Sequence, residues 1–334
     1  MSKPTIVMVP GAWHKPVIYN NVASHLQKYG YSTVLQPLPS AGAIPPNQDF
    51  TQDVTAIRKR LTSLISEGKE IVLVIHSYAG LPGSEACKGL GKKEREAKGE
   101  KGGLIRFVCL NAFAMLEGFQ PTPRGQYAGF PDWMKIDVEN DITTVTRDDA
   151  FEIFYHDLHA SEAEKWISQL EPHQSLGVYS STLTYAAWKD IPSTYLQGVQ
   201  DRSVFTQEAV GGMLGAAREV QPSAFDVVER CEEGGHCMMV SFPEWTAGAL
   251  RRAAGPGEQH RNEWTNGQLS PPIFVMGPNV CLIKGTPRGA KDSEVKRHLI
   301  PAIDHPPTFL AFSNEILLGL ILANRATVAD KYRR

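Results

Sequence analysis

The chain has 334 residues, of which 42% are hydrophobic and 21% are charged, a composition typical of a globular protein and not of a disordered one. Its formal net charge of −2 excludes the basic surface that nucleic-acid binding requires. The length is sufficient for one large domain with an insertion or a tail.

Six short apolar runs have the length and the β-branched content of strands that are buried on both faces. They are residues 5–9, 32–35, 70–75, 104–110, 194–196 and 225–228. Helical patterns lie between them at residues 17–29, 50–65 and 79–90. For the second helix, Asp49 is a predicted N-cap and Gly68 a predicted stop. The alternation predicts an α/β fold with a mostly parallel central sheet flanked by helices.

Three segments interrupt this alternation. Residues 88–103 are highly charged, which is typical of a solvated helix end followed by a loop. Residues 112–188 contain many aromatic side chains and no clear strand, so we expect a helical cap inserted between two strands. We assign residues 1–252, including this cap, to one domain and residues 253–334 to a C-terminal extension of unassigned role.

The cysteines and the apolar segments indicate the compartment. The five cysteines are odd in number and include no Cys-x-x-Cys pair. This pattern argues against a disulfide framework or a zinc site and favours a protein of a reducing compartment. Cys87 and Cys109 lie in apolar runs and are predicted core thiols. The first apolar run is too short for a secretory signal, and residues 316–323 are too few to span a bilayer. We therefore expect a cytoplasmic protein.

The segment 71–80 has the layout that a serine nucleophile needs. A buried strand leads into Ser77, and the small residues Ala79 and Gly80 follow before a helix begins. A sharp strand-to-helix turn of this kind exposes a nucleophilic hydroxyl, and the crowding around it demands small neighbours. Ile75 departs from the usual G-x-S-x-G pattern, so the motif by itself is equally consistent with an ordinary turn.

Other segments supply the groups that such a serine requires. The loop 10–14 follows the first strand and should lie beside the nucleophile turn in a parallel sheet. We predict that the backbone N–H groups of Ala12 and of Tyr78, the residue after the serine, form an oxyanion hole. A plain turn is the alternative for Pro10-Gly11.

The acid and the base are expected after later strands. Asp201 follows the run 194–196 in a turn, where the alternative is a surface carboxylate. His236 follows the run 225–228 and two glycines, where the alternative is a surface loop histidine; His305 is the second candidate base. The order Ser77, Asp201, His236 is typical of one class of hydrolase triad. His14 and His159 are candidates for the pocket wall, whereas His76 is expected to pack or bond locally.

These segments resemble a known group of proteins. Residues 9–14, 76–80, 183–188 and 191–196, with Gly235-His236, are similar to the fungal branch of the α/β-hydrolase superfamily, which is related to plant methylesterases, hydroxynitrile lyases and small bacterial esterases. The resemblance covers about residues 4–252 and implies a cap over the site, with no metal and no organic cofactor. It also implies a small-molecule substrate, in many members within secondary metabolism.

Three functions are consistent with these residues. The leading hypothesis is hydrolysis of an apolar carboxylic ester, thioester or lactone through an acyl-enzyme on Ser77. The second is a carbon–carbon lyase like the hydroxynitrile lyases, which place a lysine after the catalytic histidine, where this chain has Cys237. The third is a non-catalytic ligand-binding protein on the same scaffold.

Overall fold

The computed structural model describes residues 3–255, which form a parallel sheet with helices packed against it and a smaller sheet inserted between two of its strands. The strands are β1 Thr5–Val9, β2 Ser32–Leu35, β3 Glu70–Ser77, β4 Gly103–Ala112, β5 Lys135–Asp137, β6 Ile142–Thr144, β7 Gln174–Ser175, β8 Ser193–Gly198 and β9 Val227–Cys231. The helices are α1 Asn20–Lys28, α2 Thr51–Ser66, α3 Gly80–Ala86, α4 Lys92–Glu96, α5 Arg147–Phe154, α6 Ala160–Ile167, α7 Gln207–Val220, α8 Met238–Ser241 and α9 Pro243–Ala253.

The main sheet has the strand order β2-β1-β3-β4-β8-β9, and each neighbouring pair is parallel. Strand β3 pairs with β1 on one side and with β4 on the other, and its central residues are fully buried. This position explains the continuous apolar run, because neither face of the strand meets water. The predicted α/β architecture with a mostly parallel sheet is confirmed.

The register brings the carboxyl ends of three strands together. Val9 at the end of β1 pairs with Ile75, and Ser77 at the end of β3 pairs with Ala112 at the end of β4. The loop after β1, the turn after β3 and the start of the insertion after β4 therefore meet at one edge of the sheet. In open parallel sheets, ligands bind at this edge.

The element boundaries differ from the predicted ones in ways that have local causes. Residues 17–29 divide into a 3-10 helix, Pro16–Tyr19, followed by α1. Helix α2 has its cap position at Phe50, although the Asp49 carboxylate accepts a hydrogen bond from the Thr51 N–H at 2.7 Å. Gly68 has a φ of 75° just after this helix, as its predicted role as a stop requires.

The insertion between β4 and β8 contains more than the helices expected from the sequence. Helices α5 and α6 are present, but β5, β6 and β7 form an antiparallel three-stranded sheet beside them. We call residues 113–188 the cap and these three strands the cap sheet. Strands of two or three residues are too short to produce the alternating pattern by which a strand is recognised in a sequence.

Two predictions from the sequence concern the C-terminal extension and membrane-spanning helices. Residues 256–334, which make up almost all of the predicted extension, and the candidate base His305 lie outside the described residues. Within residues 3–255, no helix combines the length and the apolar character needed to cross a membrane.

Candidate active site

Ser77 ends strand β3 with a backbone conformation that few serines adopt. Its φ is 54°, in the left-handed region, which a side chain disfavours unless the surroundings impose it. The loop after β1 approaches closely at this point, because a Cβ added to Gly11 would lie 2.7 Å from the Ser77 Cβ. Only a glycine at position 11 permits this approach, which places Ala12 beside the serine.

Ile75, where the usual motif has glycine, fits because a glycine stands opposite it. Ile75 is fully buried, and a Cβ added to Gly83 in helix α3 would lie 2.5 Å from its Cγ2. The small residue that a nucleophile turn requires has thus moved from the strand to the helix that packs on it. The departure at Ile75 therefore alters the packing under the turn and leaves the Ser77 conformation in place.

Asp201 and His236, both predicted from loops after strands, form a buried hydrogen-bonded pair. The His236 Nδ1 lies 2.8 Å from the Asp201 Oδ2, with side-chain exposures of 2% and 0%. The other carboxylate oxygen accepts the Ser203 N–H at 2.7 Å, and the Phe205 ring stacks on the imidazole. A carboxylate on Nδ1 fixes the proton there and leaves Nε2 as the basic nitrogen.

Asn111, at the end of β4, holds the loop that carries His236. Its Nδ2 donates to the carbonyl oxygens of Gly235 at 3.0 Å and His236 at 3.2 Å, and its Oδ1 accepts the Gly198 N–H at 2.8 Å. Asp157 accepts the Gly235 N–H at 2.7 Å. Sequence reasoning missed Asn111, for which the available signal was a polar residue at the end of an apolar strand.

The two predicted oxyanion-hole donors remain free for a ligand. Among the described residues, neither the Ala12 N–H nor the Tyr78 N–H has a hydrogen-bond acceptor. Both residues line the same cavity as Ser77 and His236. The hydroxyl of Ser77 likewise has no hydrogen-bond partner within residues 3–255, and catalytic contacts of this kind often form only when substrate binds.

Two further histidines are buried next to this site. Burial lowers the pKa of His14 to about 3, and its Nδ1 lies 2.7 Å from the Ala12 carbonyl oxygen. Burial also lowers the pKa of His76, whose ring centre is 4.6 Å from that of His236. Its Nε2 is 3.1 Å from the His236 carbonyl oxygen, so it bonds to a distant loop and not locally, as the sequence had suggested. Both rings are therefore neutral at neutral pH and place no charge beside His236.

The cavity has a volume of about 120 Å³ and a largely aromatic wall. This volume is comparable with the ~150 Å³ cavities that hold benzene in engineered proteins. Six of the cap aromatics noted in the sequence line it: Phe113, Phe119, Phe130, Trp133, Phe154 and Tyr179. His14 also lines it, whereas His159 lies at a separate surface depression with Trp166. An apolar group the size of one ring suits this space.

The site combines an imidazole, a carboxylate and a hydroxyl. In the described part of the chain, no three His, Cys, Asp or Glu side chains are placed to share a metal ion. The arrangement is suited chemically to proton transfer to and from a hydroxyl at the cavity wall.

Comparison with known proteins places this geometry in context. A model of the alpha/beta hydrolase family matches residues 6–249. The chain is 35% identical to the alpha/beta hydrolase nvfD of Aspergillus novofumigatus over 76% of this chain and 98% of that protein. It is 28% identical to the probable hydrolase R7 of a Phoma species, over 76% and 100%. The methylesterase MES16 of Arabidopsis shares the fold, with a TM-score of 0.55, 17% identity and coverage of 75% and 98%.

Proposed function

Because the chain belongs to the alpha/beta hydrolase family, we propose that it is a serine hydrolase that cleaves small to medium apolar carboxylic esters through an acyl-enzyme. The observation that carries the proposal is the buried pair of His236 and Asp201, 2.8 Å apart, at a cavity that Ser77 also lines. A hydroxyl is a weak nucleophile, and an oriented imidazole is the group that activates it at neutral pH.

The reaction follows from these positions. The Ser77 oxygen attacks the ester carbonyl carbon while the His236 Nε2 accepts its proton, and the N–H groups of Ala12 and Tyr78 bind the oxyanion. The intermediate collapses, and the leaving alcohol takes the proton from His236. Water then attacks the acyl-enzyme with His236 again as the base, which releases the acid and restores Ser77. Asp201 stabilises the imidazolium in both halves.

The cavity supports an apolar acyl or aryl group as the substrate portion. Its walls are mainly aromatic, and pockets of this kind bind apolar ligands with few polar anchors. A thioester or a lactone would react by the same steps, because each presents an acyl carbon and a leaving heteroatom. The role in secondary metabolism and the cytoplasmic location stay predictions from the sequence.

A panel of esters, thioesters and lactones with graded acyl size tests the proposal. We expect the parent to hydrolyse small aryl or alkyl esters and the Ser77→Ala variant to lose at least about 10⁴-fold in kcat. Hydrolysis that persists in Ser77→Ala would contradict the mechanism. Binding without turnover of any member would favour the ligand-binding alternative.

The residue after His236 argues against the lyase alternative. Cys237 is fully buried, its Sγ lies 3.5 Å from the His14 Nε2, and burial raises the pKa of the thiol. A neutral thiol cannot supply the positive charge that would bind a departing cyanide. Cyanide release from mandelonitrile faster than ester turnover would reverse this conclusion.

A further inference from the structure

Trp13, which follows the oxyanion-hole residue Ala12, makes three hydrogen bonds with residues of the cap. Its φ is 60°, a conformation that a tryptophan adopts only under constraint. Its backbone N–H donates to the Gln174 Oε1 at 3.5 Å, which is the longest of the three hydrogen bonds between Trp13 and the cap. Its indole N–H donates to the Thr143 carbonyl at 2.9 Å, and its own carbonyl accepts the Glu171 N–H at 2.7 Å. The cap thus fixes the loop that carries the Ala12 N–H, which we call the first arm of the oxyanion hole.

Tyr78, which carries the other oxyanion-hole N–H, is held by a buried carboxylate. Its hydroxyl donates to the Asp53 Oδ2 at 2.7 Å, and Asp53 is fully buried in helix α2. The same carboxylate accepts the Ser40 hydroxyl at 2.6 Å and the Ser40 N–H at 2.9 Å. Three donors satisfy this carboxylate without an ion pair among the described residues. Helix α2 thus fixes the turn that carries the Tyr78 N–H, which is the second arm of the oxyanion hole.

Ser40 joins the two arms. The Gln174 Nε2 donates to the Ser40 Oγ at 2.7 Å, and that hydroxyl is then free to donate to Asp53. The bonds run in one direction, from the Trp13 N–H through Gln174 and Ser40 to Asp53, where the Tyr78 hydroxyl also ends. Such chains of buried hydrogen bonds strengthen one another, and the loss of one member affects the others.

We propose that Asp53, Ser40 and Gln174 are positioning residues that set the relative placement of the Ala12 and Tyr78 N–H groups. The cap sheet, through Gln174 of β7, is thereby a working part of the oxyanion hole as well as a cover. The inference rests on the proposed hydrolase function. A small misplacement of these N–H groups weakens binding of the oxyanion and leaves binding of the uncharged substrate largely unaltered.

Three single-residue variants interrupt the chain at different points. Asp53→Asn presents an amide where an acceptor is needed, Tyr78→Phe removes one hydroxyl, and Gln174→Met removes a donor and an acceptor at similar volume. The matched control is Thr246→Val, which removes a buried hydroxyl bonded to the carbonyls of Met238 and Phe242, outside the chain of bonds. Should Asp53→Asn fail to fold, Tyr78→Phe carries the test.

Kinetics per active site separate positioning from folding. With active sites titrated by a fluorophosphonate, we expect kcat/KM of the three variants to fall about 10- to 100-fold with little change in KM. The control should retain the parent value even if its melting temperature falls. Parent-like kcat/KM per active site in all three variants would overturn the proposal, because the network would then serve folding alone.

Two matched inhibitors give the second readout. A trifluoromethyl ketone adds the Ser77 oxygen to its carbonyl carbon and forms an oxyanion, whereas the methyl ketone of the same skeleton binds without addition. We expect the Ki of the first to rise in proportion to KM/kcat across the variants, and the Ki of the second to stay constant. Equal weakening of both inhibitors would overturn the proposal. If the parent itself hydrolyses no ester and forms no adduct at Ser77, the proposed function fails and the inference falls with it.

Discussion

Ile75 and Gly83 occupy complementary space beneath the nucleophile turn. The isoleucine fills the volume into which a side chain at position 83 would project. A Cβ added to Gly83 would lie 2.5 Å from the Ile75 Cγ2. Ile75 is therefore compatible with a glycine at position 83 and clashes with any residue there that has a Cβ. This pairing shows why a motif read along one strand departs from its usual form while Ser77 keeps its φ of 54°.

Because of this pairing, the effect of Gly83→Ala on stability should change sign with the residue at position 75. Gly83→Ala should cost about 1–3 kcal/mol in the parent, because its methyl group collides with Ile75. In an Ile75→Ala background, the same change should stabilise the protein by up to about 1 kcal/mol, the gain of alanine over glycine in a helix. Urea denaturation of the four proteins measures the coupling. Equal effects in both backgrounds would show that the two residues do not compete for space.

A second residue-scale prediction concerns Asn111. Asn111→Asp replaces the donor to the Gly235 and His236 carbonyls by an oxygen, so it should destabilise the protein by about 1–3 kcal/mol and lower kcat. The matched control is Asn47→Ala, a buried asparagine whose Nδ2 has no partner among the described residues. Denaturation and ester hydrolysis provide the two measurements. Unchanged kcat in Asn111→Asp would remove Asn111 from the positioning of His236.

The predictability of these residues depends on how local their roles are. Ser77, Asp201 and His236 could be proposed because each lies at or after the carboxyl end of a strand, and these ends meet at one edge of a parallel sheet. Asn111 could not, because its partners at positions 198, 235 and 236 come together only in the folded chain. The compensation of Ile75 by Gly83 is hidden for the same reason.

At the scale of elements, the cap both shapes the cavity and holds Trp13. Its helices could be expected from the aromatic-rich sequence, but its sheet could not, because β7 has only two residues. That short strand gains its position from pairing with β6 and from a bridge between Gln174 and Ala41 of the main domain. Tertiary contacts therefore decide the structure where local pattern is too brief to do so.

The cap aromatics should set the size of the acyl group. Phe130 lines the cavity and packs on Tyr179, with ring centres 5.2 Å apart. Phe130→Ala should therefore enlarge the cavity and shift the preferred acyl chain to longer members, through changes in KM. Tyr127→Ala is the matched control, because Tyr127 contacts Phe130 at 6.0 Å between ring centres but does not line the cavity. A chain-length profile identical to the parent in Phe130→Ala would place the acyl group elsewhere.

At the scale of the whole molecule, burial of His14 makes stability dependent on pH. Burial lowers its pKa from 6.5 to about 3, so between these values the unfolded chain binds one more proton at this site. The free energy of unfolding should therefore fall as pH falls below 6.5, by about 1.4 kcal/mol per pH unit from His14. The lowered pKa of His76 acts in the same direction.

Denaturation between pH 4 and 6.5 tests this dependence. The His14→Asn variant retains a donor for the Ala12 carbonyl and removes the titrating ring. The slope of its free energy of unfolding against pH should therefore be smaller than that of the parent by about 1.4 kcal/mol per pH unit, which corresponds to one proton. A slope equal to that of the parent would mean that His14 titrates alike in the folded and unfolded chains.

Covalent labelling by a fluorophosphonate, followed by peptide mass spectrometry, tests most directly whether Ser77 is a nucleophile activated by His236 and Asp201. We expect the parent to carry one label, on Ser77, and the His236→Ala variant to react on the order of 10³-fold more slowly or worse. The folded state of the variant is checked by its denaturation midpoint. Labelling of His236→Ala at the parent rate, or a label on any residue other than Ser77, would contradict the account.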